Sequence, residues 1–282
     1  MIQQSFKENK PILYLIATPI GNLSEMTPRA LEILSEVDVV AAEDTRVSSK
    51  LLAHFGIHKP MIAYHDHNED TMSEHLLSEM ASGKQIALMS DAGYPLISDP
   101  GYRVVQAAVE KGYHVISISG SSAFLNALVV SGLPSYPFAF MGFLESKEHA
   151  LKKQLEEHKD LEMTLIYYVS VHKVEKTLEF MYDIFGNRQI ALARELTKKH
   201  EEIIRGSISE VLDAMVTIKG EYVLVVEGNQ ANKEESSLDE VLNEVDDLIG
   251  LGVKPSKAIS YLSKKRQISK NKLYDVYHER KG

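Results

Sequence analysis

Five apolar runs of strand length, each followed by a polar loop and then by helical spacing, constrain this chain more than any other feature. The runs are residues 11–17, 37–42, 61–64, 84–89 and 113–119. After the first, Thr27-Pro28 opens a helix in which Ala30, Leu31, Ile33 and Leu34 recur at helical spacing. Helices over residues 48–55, 70 to about 81, 102–111 and 124–130 follow the other runs, the first of them stopped by Gly56. Strands alternating with helices imply a largely parallel sheet covered on both faces. Such a sheet puts the carboxyl ends of its strands on one side, where α/β proteins bind ligands. The polar clusters at those ends, residues 18–22, 43–46, 65–69, 91–99 and 120–123, should therefore converge.

The fourth loop, Ser-Asp-Ala-Gly-Tyr-Pro-Leu-Ile-Ser-Asp-Pro-Gly over residues 90–101, carries more Gly and Pro than a strand-to-helix link needs. Pro100 suits the first turn of the next helix, with Asp99 as its cap. Beyond the turn-rich residues 134–137 the pattern changes. Strands over 138–143, 163–169, 189–193 and 222–226, an antiparallel partner over 200–205, and helices over 147–159, 174–184 and 207–218 read as a mixed sheet. Residues 230–237 read as a polar linker. Three short helices follow, 238–249, 254–263 and 270–280, with Ser256 and Ser269 in cap regions. The expected divisions are an α/β domain over 1–133, a mixed α/β domain over 134–229, and a linker with helical tail over 230–282.

Composition narrows the function classes. No apolar run in the 282 residues is long enough to span a bilayer, and residues 1–10 are polar, without the form of a signal peptide. The absence of cysteine excludes disulfides and thiolate metal sites, and a cytoplasmic location follows as the simplest expectation. A net charge of −9 argues against nonspecific coating of nucleic acid, yet Lys264, Lys265, Arg266, Lys270, Lys272, Arg280 and Lys281 form a local basic cluster. No nucleotide-phosphate cradle and no GxSxG elbow is present. His65, Asp66 and His67 have the look of metal ligands, but no second cluster matches them. Loop capping is the expected role and no metal is expected.

Taken together, the loops resemble one family. The segments are TPIGNL (18–23), AEDTR (42–46), HDHNE (65–69), SDAGYPLISDPG (90–101), GSSA (120–123), ARELTKKHEE (193–202) and GEYVLVVEG (220–228). They are similar, in this order, to the bacterial small-subunit ribosomal RNA cytidine 2′-O-methyltransferases of the tetrapyrrole methylase superfamily. The resemblance covers nearly the whole chain. It implies two α/β domains of the tetrapyrrole methylase type, S-adenosylmethionine between them, a homodimer, and methyl transfer to a ribose 2′-hydroxyl in the decoding region of 16S ribosomal RNA. By position in the pattern it implies a cofactor site of Pro19, Asp91, Gly93, Ile97, Ser122 and Ala123, joined by Tyr168 and Leu196. The chain departs from the pattern where the family commonly has Y-E-S-P-H-R. Here Val169, Val171 and Lys173 replace the acid, the proline and the arginine, and GSSA stands for the commoner GPSA.

Methyl transfer from a sulfonium chiefly requires an aligned nucleophile. A ribose hydroxyl also gains from a proton acceptor. Glu43, Asp44, Asp99, Glu195 and His67 are candidates, with Glu43 and Asp44 preferred. Arg46 and Arg194 either hold RNA phosphate or pair with nearby carboxylates. Lys264, Lys265 and Arg266 are expected RNA contacts. Two other readings stand beside this one: a methylase acting on a tetrapyrrole, and a ribosome-assembly factor whose methylase site has decayed.

Overall fold

The structure is a computed structural model and describes residues 2–4, 10–216, 219–266 and 268–281. It forms two compact units, one of residues 1–159 and 163–227, the other of residues 160–162 and 228–282.

The first unit opens with β1 (Ile12–Ile16), α1 (Pro28–Glu36), β2 (Val39–Ala42), α2 (Thr45–His54), β3 (Met61–Ala63), α3 (Glu69–Ala81), β4 (Ile86–Met89), α4 (Tyr102–Glu110), β5 (His114–Ile118) and α5 (Ala123–Ser131). The five strands form one all-parallel sheet in the order β3-β2-β4-β1-β5. Alternate residues of each strand serve opposite faces. Ile12, Tyr14, Ile16, Val40, Ala87 and Met89 pack with Ala30 and Leu34 of α1 and Leu52 of α2. Leu13, Ala41, Ile86 and Leu88 pack with Leu76 and Met80 of α3 and Val104 and Ala108 of α4. Both faces are thus apolar because helices cover both. Each fully buried Leu or Ile stabilises the fold by roughly 1.5–3 kcal/mol over leaving it exposed. Thr27 caps α1, its hydroxyl accepting from the Ala30 N–H at 3.2 Å, with Pro28 in the first helical turn.

A second sheet follows, from β6 (Phe138–Phe143), α6 (Glu148–His158), β7 (Thr164–Val169), α7 (Val174–Phe185), β8 (Gln189–Arg194), β9 (Glu202–Ser207), α8 (Ile208–Ala214) and β10 (Tyr222–Val226). Its order is β6-β7-β10-β8-β9, with β6 parallel to β7 and the other pairs antiparallel. Ala127 and Leu128 of α5 pack on Ile166, Ala191, Val223 and Val225 of this sheet. The last helix of the first half therefore serves the core of the second. The helix expected over 207–218 spans Ile208–Ala214, and residues 217 and 218 lie outside the described residues. Most of the polar N-terminal segment, Met1 and residues 5–9, also lies outside them.

The second unit holds α9 (Ala231–Gly250), α10 (Pro255–Lys265) and α11 (Lys270–Lys281), which bury Val241, Leu242, Val245, Ile259, Leu262 and Leu273 together. Residues 231–237 are not a linker but the first turns of α9. They are polar yet contain neither Gly nor Pro, and Ala, Lys and Glu are good helix formers. Among the described residues no helix is long and apolar enough to cross a membrane.

Candidate active site

The strand order places β1 between β4 and β5, and β2 beside β4. Their loops consequently meet, and hydrogen bonds tie them. Thr18 and Gly93 form an isolated antiparallel bridge, Thr18 N to Gly93 O at 2.8 Å and Gly93 N to Thr18 O at 3.1 Å. The Asp44 N–H donates to Asp91 Oδ1 at 3.3 Å, and the Asp91 N–H to Glu43 Oε2 at 3.4 Å. The Gly120 N–H donates to the Tyr94 hydroxyl at 3.1 Å, and the Ser121 hydroxyl to Glu25 at 2.7 Å. Glu69, at the head of α3, reaches the fourth loop: its Oε1 accepts from the N–H groups of Gly101 (3.0 Å) and Arg103 (3.3 Å).

That last contact corrects the expected cap. Helix α4 starts at Tyr102 with Gly101 as N-cap, so Asp99 caps nothing there. Glu69 satisfies the free N–H groups from another element, which leaves the Asp99 carboxyl for the interior of the loop.

A cavity of about 520 Å³ opens where these loops face the second sheet. That volume lies in the range of roughly 300–1,000 Å³ usual for small-molecule sites. Ile20, Glu43, Asp91, Gly93, Ile97 and Asp99 line it from the first sheet, together with Ser122 and Ala123 at the start of α5. From the second sheet come Phe143, Tyr168, Val169, Ser170, Val171, Leu196, Glu221 and Val223. Of the residues assigned to the cofactor by resemblance, Asp91, Gly93, Ile97, Ser122, Ala123, Tyr168 and Leu196 share this wall. Pro19 is buried and outside the lining, and its neighbour Ile20 takes the wall position.

The carboxylates of the cavity are electrostatically strained. Burial, reinforced by the charge of Glu43, pushes Asp99 up to about 6. Burial also raises Glu43 and Asp91, each further raised by neighbouring carboxylates. Asp44 behaves oppositely. It caps α2 by accepting the Arg46 N–H at 2.8 Å and binds the Arg46 guanidinium at 2.6 Å, which holds it well below the usual carboxylate range. It is not part of the cavity wall.

Leu196 is fixed by its neighbours. Glu195 and Thr197 on either side have left-handed backbone (φ 51° and 68°). The Glu195 N–H donates to Glu221 O at 3.0 Å, and the Glu221 N–H to Glu195 Oε1 at 3.1 Å. Lys198 bridges both carboxylates at 2.9 and 2.8 Å and holds Glu195 low. The altered segment presents Val169, Ser170 and Val171 to the cavity, while the Lys173 ammonium turns away to Ser146 O at 2.6 Å.

The remaining sequence candidates lie elsewhere. Arg46 is 86% exposed beside Asp44. Arg194 is 14% exposed and paired with Glu202 at 3.0 Å. Lys265 and Arg266 share Glu244, and Lys264 is exposed. His65 and His67 are outside the cavity wall; Asn68, not a histidine, organises their loop by accepting the His65 N–H at 2.9 Å. Among the described residues no three His, Asp or Glu side chains gather as a metal site. Tyr94 and Glu221 are wall residues inside quoted segments that had no assigned role, and Phe143 lies outside every quoted segment; Gly142, a glycine inside a strand pattern, was the available signal for Phe143.

An S-adenosyl sulfonium fits these residues. The cavity has the volume, its wall is apolar where Ile20, Ala123, Leu196 and Val223 meet, and a cation entering it would relieve the mutual repulsion of Glu43, Asp91 and Asp99.

Comparison with known proteins agrees with this geometry. The model of the Tetrapyrrole (Corrin/Porphyrin) Methylases matches residues 12–212. A ribosomal RNA small subunit methyltransferase I of Halalkalibacterium halodurans is 44% identical, over 98% of this chain and 99% of its own. The protein of the same name from Bacillus subtilis is 43% identical over 98% of each chain, and that of Haemophilus influenzae 42% over 93% and 95%. Among solved structures, a diphthine synthase has TM-score 0.61 at 14% identity, covering 78% of this chain and 90% of that one. A uroporphyrin-III-C-methyltransferase from Thermus thermophilus has TM-score 0.54 at 18%, covering 77% and 94%. These two share the fold. The family and the methyltransferase relatives imply S-adenosylmethionine as methyl donor. Loops, cavity and likeness agree: the chain belongs to the tetrapyrrole methylases and, within them, to the family of ribosomal RNA small subunit methyltransferase I.

Proposed function

We propose that this protein methylates the ribose 2′-hydroxyl of a cytidine in the decoding region of 16S ribosomal RNA, using S-adenosylmethionine. The observation that carries the reading is the near full-length likeness to relatives named for small-subunit ribosomal RNA methylation. Asp91, Gly93, Ile97, Ser122, Ala123, Tyr168 and Leu196 would hold the cofactor, with Pro19 shaping the first loop behind Ile20. When bound, the cofactor supplies an already activated methyl group. The chain's own residues then have to place the hydroxyl in line, exclude water and accept one proton.

For the proton, the geometry favours Asp99 over the pair preferred from sequence. Asp44 is tied to Arg46 and held low, which makes it a poor base. Glu195 is held low by Lys198. Glu43 and Asp99 both face the cavity, and Asp99 is raised to about 6, near the working range of a general base. Glu43 contributes the charge that helps to raise it. Arg46 and the exposed face around Lys264 are the proposed RNA contacts. Arg194, itself half-buried and paired with the exposed Glu202, is assigned to the ion pair instead of to RNA. A homodimer acting in the cytoplasm completes the reading.

The test is tritiated S-adenosylmethionine with small subunits from a strain lacking the enzyme, followed by mapping of the labelled nucleotide. Label on a precorrin but not on subunits supports the tetrapyrrole reading. Label on neither supports the assembly-factor reading.

A further inference from the structure

We infer that Phe143 is the platform on which the base of the target nucleotide stacks. The inference rests on the RNA-methylation reading and concerns how this cavity takes its substrate. Strand β6 lies at the edge of the second sheet and pairs with β7 through Phe138, Ala139 and Phe140, opposite Thr164, Leu165 and Ile166. The next pair is Phe143 with Tyr168, so three steps on β6 match two on β7. The extra residue is a bulge, and Gly142 makes it possible with a left-handed φ of 70°. The consequence is a change of face. In a regular strand Phe143 would point away from the side that Phe140 occupies. The bulge instead brings both rings against Tyr168, Phe140 at 4.9 Å and Phe143 at 5.2 Å between centroids.

The two rings then meet different fates. Phe140 is partly buried and stacked on Phe124 at 4.5 Å. Phe143 lines the cavity and is 62% exposed, more than Ile97 at 40%, the other exposed large apolar side chain of the wall. A Cβ at Gly142 would stand 3.9 Å from the Ser98 hydroxyl oxygen, so the bulge faces the loop that carries Asp99. An exposed aromatic ring thus lines the same cavity as the proposed proton acceptor.

A cavity of about 520 Å³, part of which the cofactor would take, is far too small for an RNA helix. The target nucleotide must leave its stack, and proteins that receive unstacked bases stack them on aromatic side chains. Phe143 offers such a face.

The experiment compares Phe143→Ala, Phe143→Leu and Phe143→Trp for methylation of small subunits, cofactor affinity by calorimetry, and sedimentation. Loss of one stacking partner should lower kcat/KM for subunits about 10- to 100-fold in Phe143→Ala and Phe143→Leu. Phe143→Trp should restore it to within about 3-fold, with cofactor affinity and sedimentation unchanged throughout. Rescue by Leu, which fills space but offers no π face, overturns the inference. So does a parallel fall in cofactor affinity, which would assign the ring to the cofactor, and so does a change in oligomeric state. Failure of the wild type to label subunits is a separate result and overturns the reading beneath.

Discussion

Replacing Asp99 by Asn tests the placement of the proton acceptor most directly. The carboxyl is raised to about 6 by its burial first and by Glu43 second. If its ionised form accepts the ribose proton, the single-turnover rate follows the ionised fraction. That fraction is about nine-tenths at pH 7, one-half at pH 6 and one-tenth at pH 5. An unperturbed Asp, with a pKa of about 3.9, would still be more than about nine-tenths ionised at pH 5, so the profile separates the two cases. Asp99→Asn should lower the plateau rate by about 10²–10⁴-fold. Glu43→Gln removes a like charge, so its rate limb should move to lower pH. Stability supplies a second readout. A folded pKa above the unfolded value means that ionisation costs stability; the favourable contribution is full below about pH 4 and is lost as pH rises through about 6. Asp99→Asn should therefore melt higher than the wild type at pH 8 and lose that advantage at pH 4. The assay is rapid-quench methylation of small subunits from pH 5 to pH 8, beside melting at the two extremes. A flat wild-type profile down to pH 5, or an Asp99→Asn variant at wild-type rate, refutes the assignment. Loss of cofactor binding in that variant reassigns the carboxylate to the cofactor.

Three further outcomes follow from the loops and the tail. Gly93→Val meets no close atom, the nearest to its Cβ being Ile20 Cγ2 at 3.6 Å, but φ is 83°, so the backbone must turn and the bridge to Thr18 open. Cofactor affinity measured by calorimetry should fall about 5- to 150-fold, in line with about 1–3 kcal/mol of strain; unchanged affinity removes this loop from the site. Glu69→Ala takes away the acceptor of the Gly101 and Arg103 N–H groups and should cost about 1–2 kcal/mol. A melting temperature lower by roughly 2–8 °C is expected, and an unchanged one shows that α4 finds another cap. Replacing Lys264, Lys265, Arg266, Lys270 and Lys272 by Ala should weaken RNA binding and flatten its salt dependence, while Glu244→Gln, which releases Lys265 and Arg266 from their carboxylate, should steepen it. An unchanged salt slope in the five-site variant makes the tail a solvated face.

What the sequence discloses and what it hides divide along one physical line. The first sheet is legible because helices cover both of its faces, so each strand reads as an unbroken apolar run: Ile12, Tyr14 and Ile16 serve one helical layer while Leu13 serves the other. The loop ends are legible for the same reason, since parallel strands bring them to one side, and the Thr18–Gly93 bridge is that convergence made local. The hidden features all depend on a partner far away in the chain. Asp99 reads as a helix cap because it precedes a proline and a helix. Whether it caps depends on Glu69, 32 residues from Gly101 in sequence, whose reach across loops no local pattern records. Asp44 shows the converse. Its neighbours suffice to make it a good cap for α2, and the same Arg46 contact that confirms the cap lowers its basicity. Phe143 is hidden by a count: one residue inserted on β6 reverses the face of everything after it, and only pairing with β7 reveals the insertion. The proposed proton acceptor and the proposed base platform share this origin: Glu69 takes the capping role expected of Asp99, and the bulge at Gly142 redirects Phe143.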